Sequence, residues 1–275
     1  MIDKTWHLTG LEYRVLRQRL LDRNGNWPFI FRSEVRRAYE YEFVKARVWG
    51  ELRANWDPAL AEVLTKALTA DVRIAVLGRD KRDPTDISRD ITLTAKRFGD
   101  RALVMRGHHT TTRDSHDQLV LTECDASALA ALLVAELPDV AAGSRGRVVL
   151  PSHDSAAEFD HWHGRSTLYD AGEGDHEVLG RHWQRAPKAT VGRILITHGH
   201  SAFGPRGQVR KTVFWEDHVD DGRYLIDIGP PVAAVATDAA GLAKAIERQI
   251  GEVLLVRGDE ARTGFVRGSV YDDGE

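Results

Sequence analysis

The chain has one cysteine, Cys124, so it can close no disulfide on itself. Within Leu119-Val-Leu-Thr-Glu-Cys124-Asp the thiol takes a small apolar strand position, without the basic neighbours that activate a nucleophilic cysteine. Long apolar runs are missing as well, since nowhere do about 18 such residues follow one another. Residues 1–10 carry neither the basic start nor the apolar stretch of a secretory signal, so the expectation is a cytoplasmic protein with no membrane insertion. Nor does charge of one sign dominate: 38 Lys and Arg stand against 41 Asp and Glu, a net charge of -3 that attracts neither nucleic acid nor anionic lipid. What is present is core material, with 42% hydrophobic residues over 275 positions, enough for one large domain or two small ones.

Residues 8–22 place Leu8, Leu11, Val15, Leu16 and Leu20 near helical spacing and predict an amphipathic helix. Trp27-Pro-Phe-Ile-Phe31 suits an edge strand, because Pro28 supplies no ladder donor. Ser33 offers a cap to a second helix whose stripe is Val35, Tyr39, Phe43 and Ala46, and Asp57-Pro58 opens a third. Beyond Asp71 the period turns β-like over 72–77, 91–97, 101–106 and 118–122. Asp125 then caps a helix over 126–137, which Pro138 ends.

The second half repeats this order. Arg193-Ile194 stand where Arg73-Ile74 stood, residues 221–229 align with 99–107, and Asp238-Ala239 with Leu242-Ala243 match Asp125-Ala126 with Leu129-Ala130. The expectation is an α/β fold of the α+β kind: two quasi-twofold-related halves, each of antiparallel strands followed by a capped helix, around one central sheet. An internal duplication accounts for the repeat, and one domain spans 1–275, with halves at about 1–142 and 190–256, an irregular bridge at 143–189 and a tail at 257–275.

Chemistry is harder to find. His161-Trp-His163 and His198-Gly-His200, with Asp154, Asp160 or Glu173, carry the donor types of a zinc site, and a metal-dependent hydrolase is the reading they support. Against it stand the absence of a His-Glu-x-x-His helix and of any Cys-x-x-Cys pair. There is no Gly-x-Ser-x-Gly elbow, and Ser152-His153-Asp154 is contiguous, whereas triad members converge from separate segments. The glycines form no phosphate-binding pattern, so no cofactor is expected.

The residues 8–16 (LTGLEYRVL), Trp27-Pro-Phe29 and the following helix rich in Glu, Arg and Tyr resemble the opening of the EspG proteins of type VII (ESX) secretion. Val213-Phe-Trp-Glu-Asp217, Asp221-Gly-Arg-Tyr-Leu225 and the strand and capped helix after Val235 resemble that family's carboxy-terminal part, over about 6–253 in all. The bridge departs from it, with Asp160-His-Trp-His163 and Gly172-Glu-Gly-Asp175 where the family carries apolar helices. The resemblance implies a non-catalytic chaperone with a partly exposed central sheet; the charged surface helices suit either a monomer or a dimer when free. Its partner is a helical PE/PPE-like heterodimer, whose exposed apolar end it keeps soluble for export. The family's contact surface maps onto the loop 79–89, giving Arg79, Lys81, Arg82, Asp86 and Arg89 as rim contacts and Phe203, Phe214 and Trp215 as apolar ones. A scaffold that keeps this fold without binding a substrate is the third reading.

Overall fold

A computed structural model describes residues 2–21, 28–109, 115–150, 175–199 and 208–262. Ten strands form one antiparallel sheet in the order β1-β5-β4-β3-β2-β7-β8-β9-β10-β6. They are β1 (Ile2–Thr9), β2 (Val72–Asp80), β3 (Ile91–Phe98), β4 (Arg101–His108), β5 (Gln118–Asp125), β6 (Arg147–Val149), β7 (Lys188–His198), β8 (Arg210–His218), β9 (Arg223–Asp227) and β10 (Ala233–Ala236). The α-helices are α1 (Gly10–Leu21), α2 (Ala38–Ala54), α3 (Pro58–Lys66), α4 (Leu129–Ala135), α5 (Asp175–Arg185) and α6 (Ala239–Arg262).

Local chemistry sets several of these boundaries. Asp57 accepts from the Ala59 amide at 3.0 Å and Pro58 takes the first helical position, so α3 starts where the sequence says. At α1 a capping box forms, in which the Glu12 amide donates to Thr9 Oγ1 at 3.1 Å and the Thr9 amide to Glu12 Oε2 at 2.6 Å. Ahead of that box the expected helix gives way to β1, where buried Trp6 and Leu8 alternate with exposed residues at the period of a strand. Residues 28–31 form no strand; their tie to the sheet is the His116 amide, which donates to the Ile30 carbonyl at 2.7 Å. Helix α2 begins at Ala38, later than Ser33 suggested, and buries Lys45 and Val48 while Tyr39 and Phe43 face outward. The Lys45 amine lies over the Tyr41 ring at 5.2 Å and reaches Gln18 at 3.2 Å and Glu42 at 2.7 Å, which turns the predicted stripe away from the core.

From each edge inward the strand order reads the same, so a quasi-twofold axis passes between β2 and β7. The ladders and strand ends coincide when 72–80 is set on 190–198 and 91–98 on 211–218. Continued through β4, β5, β9 and β10, that register sets Asp125, Leu129, Leu133 and Leu137 on Asp238, Leu242, Ile246 and Ile250. The helix match read from the sequence is therefore the structural one. The two strand matches are not: Arg73 falls two residues, and Gly99 one residue, from its expected partner. The β3–β4 turn is Gly99-Asp100, whereas a longer connection joins β8 to β9, and a slip of one residue exchanges the faces of a strand.

One face of the sheet is covered by α4 and α6, which also touch each other, and Val72, Ile74, Val76, Leu93, Ile194 and Ile196 pack beneath them. Among the described residues, α-helices cover the opposite face on its flanks. At one flank Trp6, Leu8, Leu103 and Leu121 meet Tyr13 and Leu16 of α1 and Leu60 of α3. At the other, Val148, Tyr224 and Ala234 meet Trp183 of α5. The supposedly irregular bridge thus contributes β6 and α5, and α6 runs into the expected tail as far as Arg262.

Candidate functional site

Between those flanks, the middle strands β3, β2, β7 and β8 carry no α-helix on this second face among the described residues. Two hollows open there, of about 490 Å³ and 460 Å³. The first lies where β2 ends and is lined by Leu77, Arg79, Val191, Arg193, Phe214 and Glu216, with Asp90 at its edge. The second lies where β2 begins and is lined by Arg17, Arg73, Ala75, Lys96, Leu195 and Arg210. The axis exchanges them position for position: Leu77 with Leu195, Asp90 with Arg210, Glu216 with Lys96, Val191 with Arg73, Arg193 with Ala75 and Phe214 with Thr94.

Charge is balanced in the first hollow. Burial raises the pKa of Glu216, but hydrogen bonds from His218 and Lys188 outweigh it and hold the carboxyl below its ordinary value. Lys188 Nζ lies 3.0 Å from Glu216 Oε2, so this is a paired carboxylate beside Arg79 and Arg193. The 81–90 loop at this end is organised by Asp80, a buried side chain. Asp80 Oδ1 accepts from the Arg82 amide at 2.8 Å, and its carboxylate pairs with the guanidinium of Arg82 at 2.5 Å and of Arg89 at 3.9 Å. The Arg82 bond is the main reason the Asp80 carboxyl titrates below the usual range. Asp86 accepts from the Ser88 amide at 3.1 Å and from Arg89 at 3.2 Å.

Arg79, Lys81, Arg82 and Arg89 are accordingly exposed along one rim, with Asp86 half-buried among them. Phe214 is 36% exposed and projects from β8 into the open face. Trp215 has to be corrected: its neighbour position points to the other face, it is fully buried over Gly78 and Gly192, and it offers nothing to a partner. Phe203 lies outside the described residues.

Residues 154, 160, 161, 163, 173 and 200 of the conceivable metal site also lie outside the described residues. His198 is buried at the end of β7, on the helix-covered face. Among the described residues no group of three His, Cys, Asp or Glu side chains is arranged to hold a metal. Cys124 is buried in β5 as its sequence context implies.

A histidine the sequence reading passed over has a structural part. The buried His116 ring packs on Phe29 at 5.5 Å and His109 at 4.1 Å, and its Nδ1 accepts from the Ile30 amide at 3.1 Å. Burial, and secondarily the neighbouring His109, push its pKa down to about 4. A Cβ on Gly107 would strike this ring and Phe29, so Gly107 keeps the strand open for the 28–31 segment.

Residues 9–248 match the model of the EspG family. A search of curated proteins returned no match. No described helix is long and apolar enough to cross a membrane. The chain belongs to the EspG family, whose members are chaperones associated with ESX secretion rather than enzymes.

Proposed function

We propose, from that membership, that the chain is a cytoplasmic chaperone for a helical ESX substrate of PE/PPE-like type, whose apolar end it holds against the open middle of its sheet. The observation that supports this most is that, among the described residues, the four central strands carry no α-helix on one face, in a sheet whose flanks and opposite face are packed. A helical pair with an apolar tip aggregates when that tip is exposed, and a sheet surface with flanking loops removes it from water. Leu77, Val191 and Phe214 supply apolar contact, while Arg79, Lys81, Arg82, Asp86 and Arg89 form a polar rim. Because Asp80 already holds the loop, the rim loses less freedom on binding than an unanchored loop. A stable complex of this kind buries about 1,600 Å² or more in total. The two halves are read as an internal duplication in which this surface was shaped at one end.

The experiment is co-expression with the helical ESX substrate pairs encoded in the same genome, followed by size-exclusion chromatography. A co-eluting complex that Phe214→Asp weakens supports the reading. Failure of every pair to bind a folded chain contradicts it.

A further inference from the structure

The two hollows differ in one respect that their shared geometry does not require. In the first, Arg79 and Arg193 face Asp90 and Glu216. Across the axis Arg210 replaces Asp90 and Lys96 replaces Glu216, Arg73 replaces Val191, and Arg17 of α1 adds a fourth cation. No carboxylate is among the described residues that line this second hollow. The chain as a whole is slightly acidic, at -3, so the concentration of cations is local.

The cations are set in place by their surroundings. Arg17 Nη1 donates to Tyr13 Oη at 3.3 Å and its guanidinium lies over the Tyr13 ring at 5.8 Å, while its Nε is buried with no hydrogen-bond partner. Arg73 Nη2 reaches the Leu68 carbonyl at 3.5 Å. Arg210 is exposed at the start of β8. Beneath them Ala75 and Leu195 form an apolar floor, so carboxylates that enter are partly removed from water, where guanidinium bonds to them are strongest.

We infer that this hollow seats a cluster of carboxylates on the protein substrate. The bound end of that substrate then carries acidic side chains beside its apolar contact. Leu77 lies four positions along β2 from Arg73, which puts the acidic and apolar features of the partner about 13 Å apart. The inference rests on the chaperone reading for the identity of the partner, and charge complementarity between the two ends gives the substrate one orientation on a nearly symmetric surface.

The test uses the full chain and two ligands: fluorescein-labelled hexaglutamate, and the helical pair recovered by co-expression. The peptide is expected to bind in about 50 mM salt and to weaken about tenfold or more in about 300 mM. Arg210→Glu is expected to abolish peptide binding and to weaken the helical pair about tenfold or more, Arg210→Lys to retain most of both, and Arg47→Glu on the exposed side of α2, with the same change of net charge, to alter neither. Unchanged thermal melting confirms that each variant is folded. A complex indifferent to salt and to Arg210→Glu overturns the inference and leaves the chaperone reading intact. Peptide binding without capture of any helical pair removes the chaperone reading and this assignment of the partner with it. Binding of inorganic pyrophosphate but not of hexaglutamate makes the hollow a small-anion site and also overturns the inference.

Discussion

At one end of the sheet the Trp215 ring lies over Gly78 and Gly192; at the equivalent place across the axis, Ala95 stands in one row with Ile74 and Ile196. All three residues of the second set are almost fully buried, as Trp215 is. One large and two small side chains thus do the packing that one small and two large ones do in the other half. Close packing constrains the volume of a layer and leaves its distribution free. The open face tells the same story in charge, with two carboxylates at one end and cations at their equivalents. Between the two halves the backbone is alike, while the side chains on either surface differ.

The comparison can be broken most severely in the core. Trp215→Ala is expected to cost about 3–5 kcal/mol in urea unfolding, since glycine neighbours cannot fill the space. Adding Gly78→Ile and Gly192→Ile copies the other half and is expected to recover a measurable part of the loss; a triple variant no more stable than the single one refutes the equivalence. An effect of similar size is expected at a pair found in one half only. Arg223 and Asp217, both buried, bond at 2.7 Å, and Arg223 also donates to the Pro138 carbonyl at 2.7 Å. Ala102 and Arg97 stand at the equivalent places. Asp217→Ala leaves Arg223 buried without its counter-charge, at about 3–5 kcal/mol by the same measurement.

Next in size is a pH dependence that originates in the first half. His116 has a folded pKa of about 4 against the ordinary 6.5, so the folded state resists its protonation. Stability is full above about pH 6.5 and falls as the pH drops toward 4, by about 3 kcal/mol in all. His116→Gln is expected to flatten that slope in unfolding curves taken between pH 4 and 7. The smallest effect belongs to Asp80, whose equivalent is the buried His198. Asp80→Ala is expected to lower global stability by no more than about 1 kcal/mol, while amide exchange in the 81–90 loop quickens.

Much of this architecture was legible from the sequence because it rests on local signals. Asp57-Pro58 and Asp238 mark helix starts through their own side chains, and the alternation over 72–77 or 91–97 marks strands without reference to anything distant. Asp125 does not cap as expected: its carboxylate pairs with Arg101, a 3-10 turn follows it, and α4 runs only over Leu129–Ala135 rather than 126–137. Strand β1 was not legible, since Trp6 and Leu8 reveal their period of two only once the capping box at Thr9 and Glu12 is seen to begin the helix. The outward turn of Tyr39 and Phe43 depends on Lys45 meeting Gln18 and Tyr41, a tertiary contact that periodicity does not report. At the candidate site, the family resemblance is what pointed to Phe214 and the 79–89 loop, which the fold places beside the first hollow. Trp215 was misassigned because adjacent strand residues face opposite ways. The cation-lined hollow was invisible for a related reason: Arg17, Arg73, Lys96 and Arg210 come from four elements, and only the ladder register sets them against their counterparts.

The claim that the open sheet face holds the substrate has a rival on the molecule itself, since Phe43 on α2 is 74% exposed and is the more prominent apolar side chain. The direct measurement is photo-crosslinking in cells that co-express the helical substrate pair, with a benzophenone amino acid placed at position 214 in one protein and at position 43 in another. The account predicts a crosslink to the substrate from position 214 and none from position 43. A crosslink from position 43 with none from 214 would contradict it.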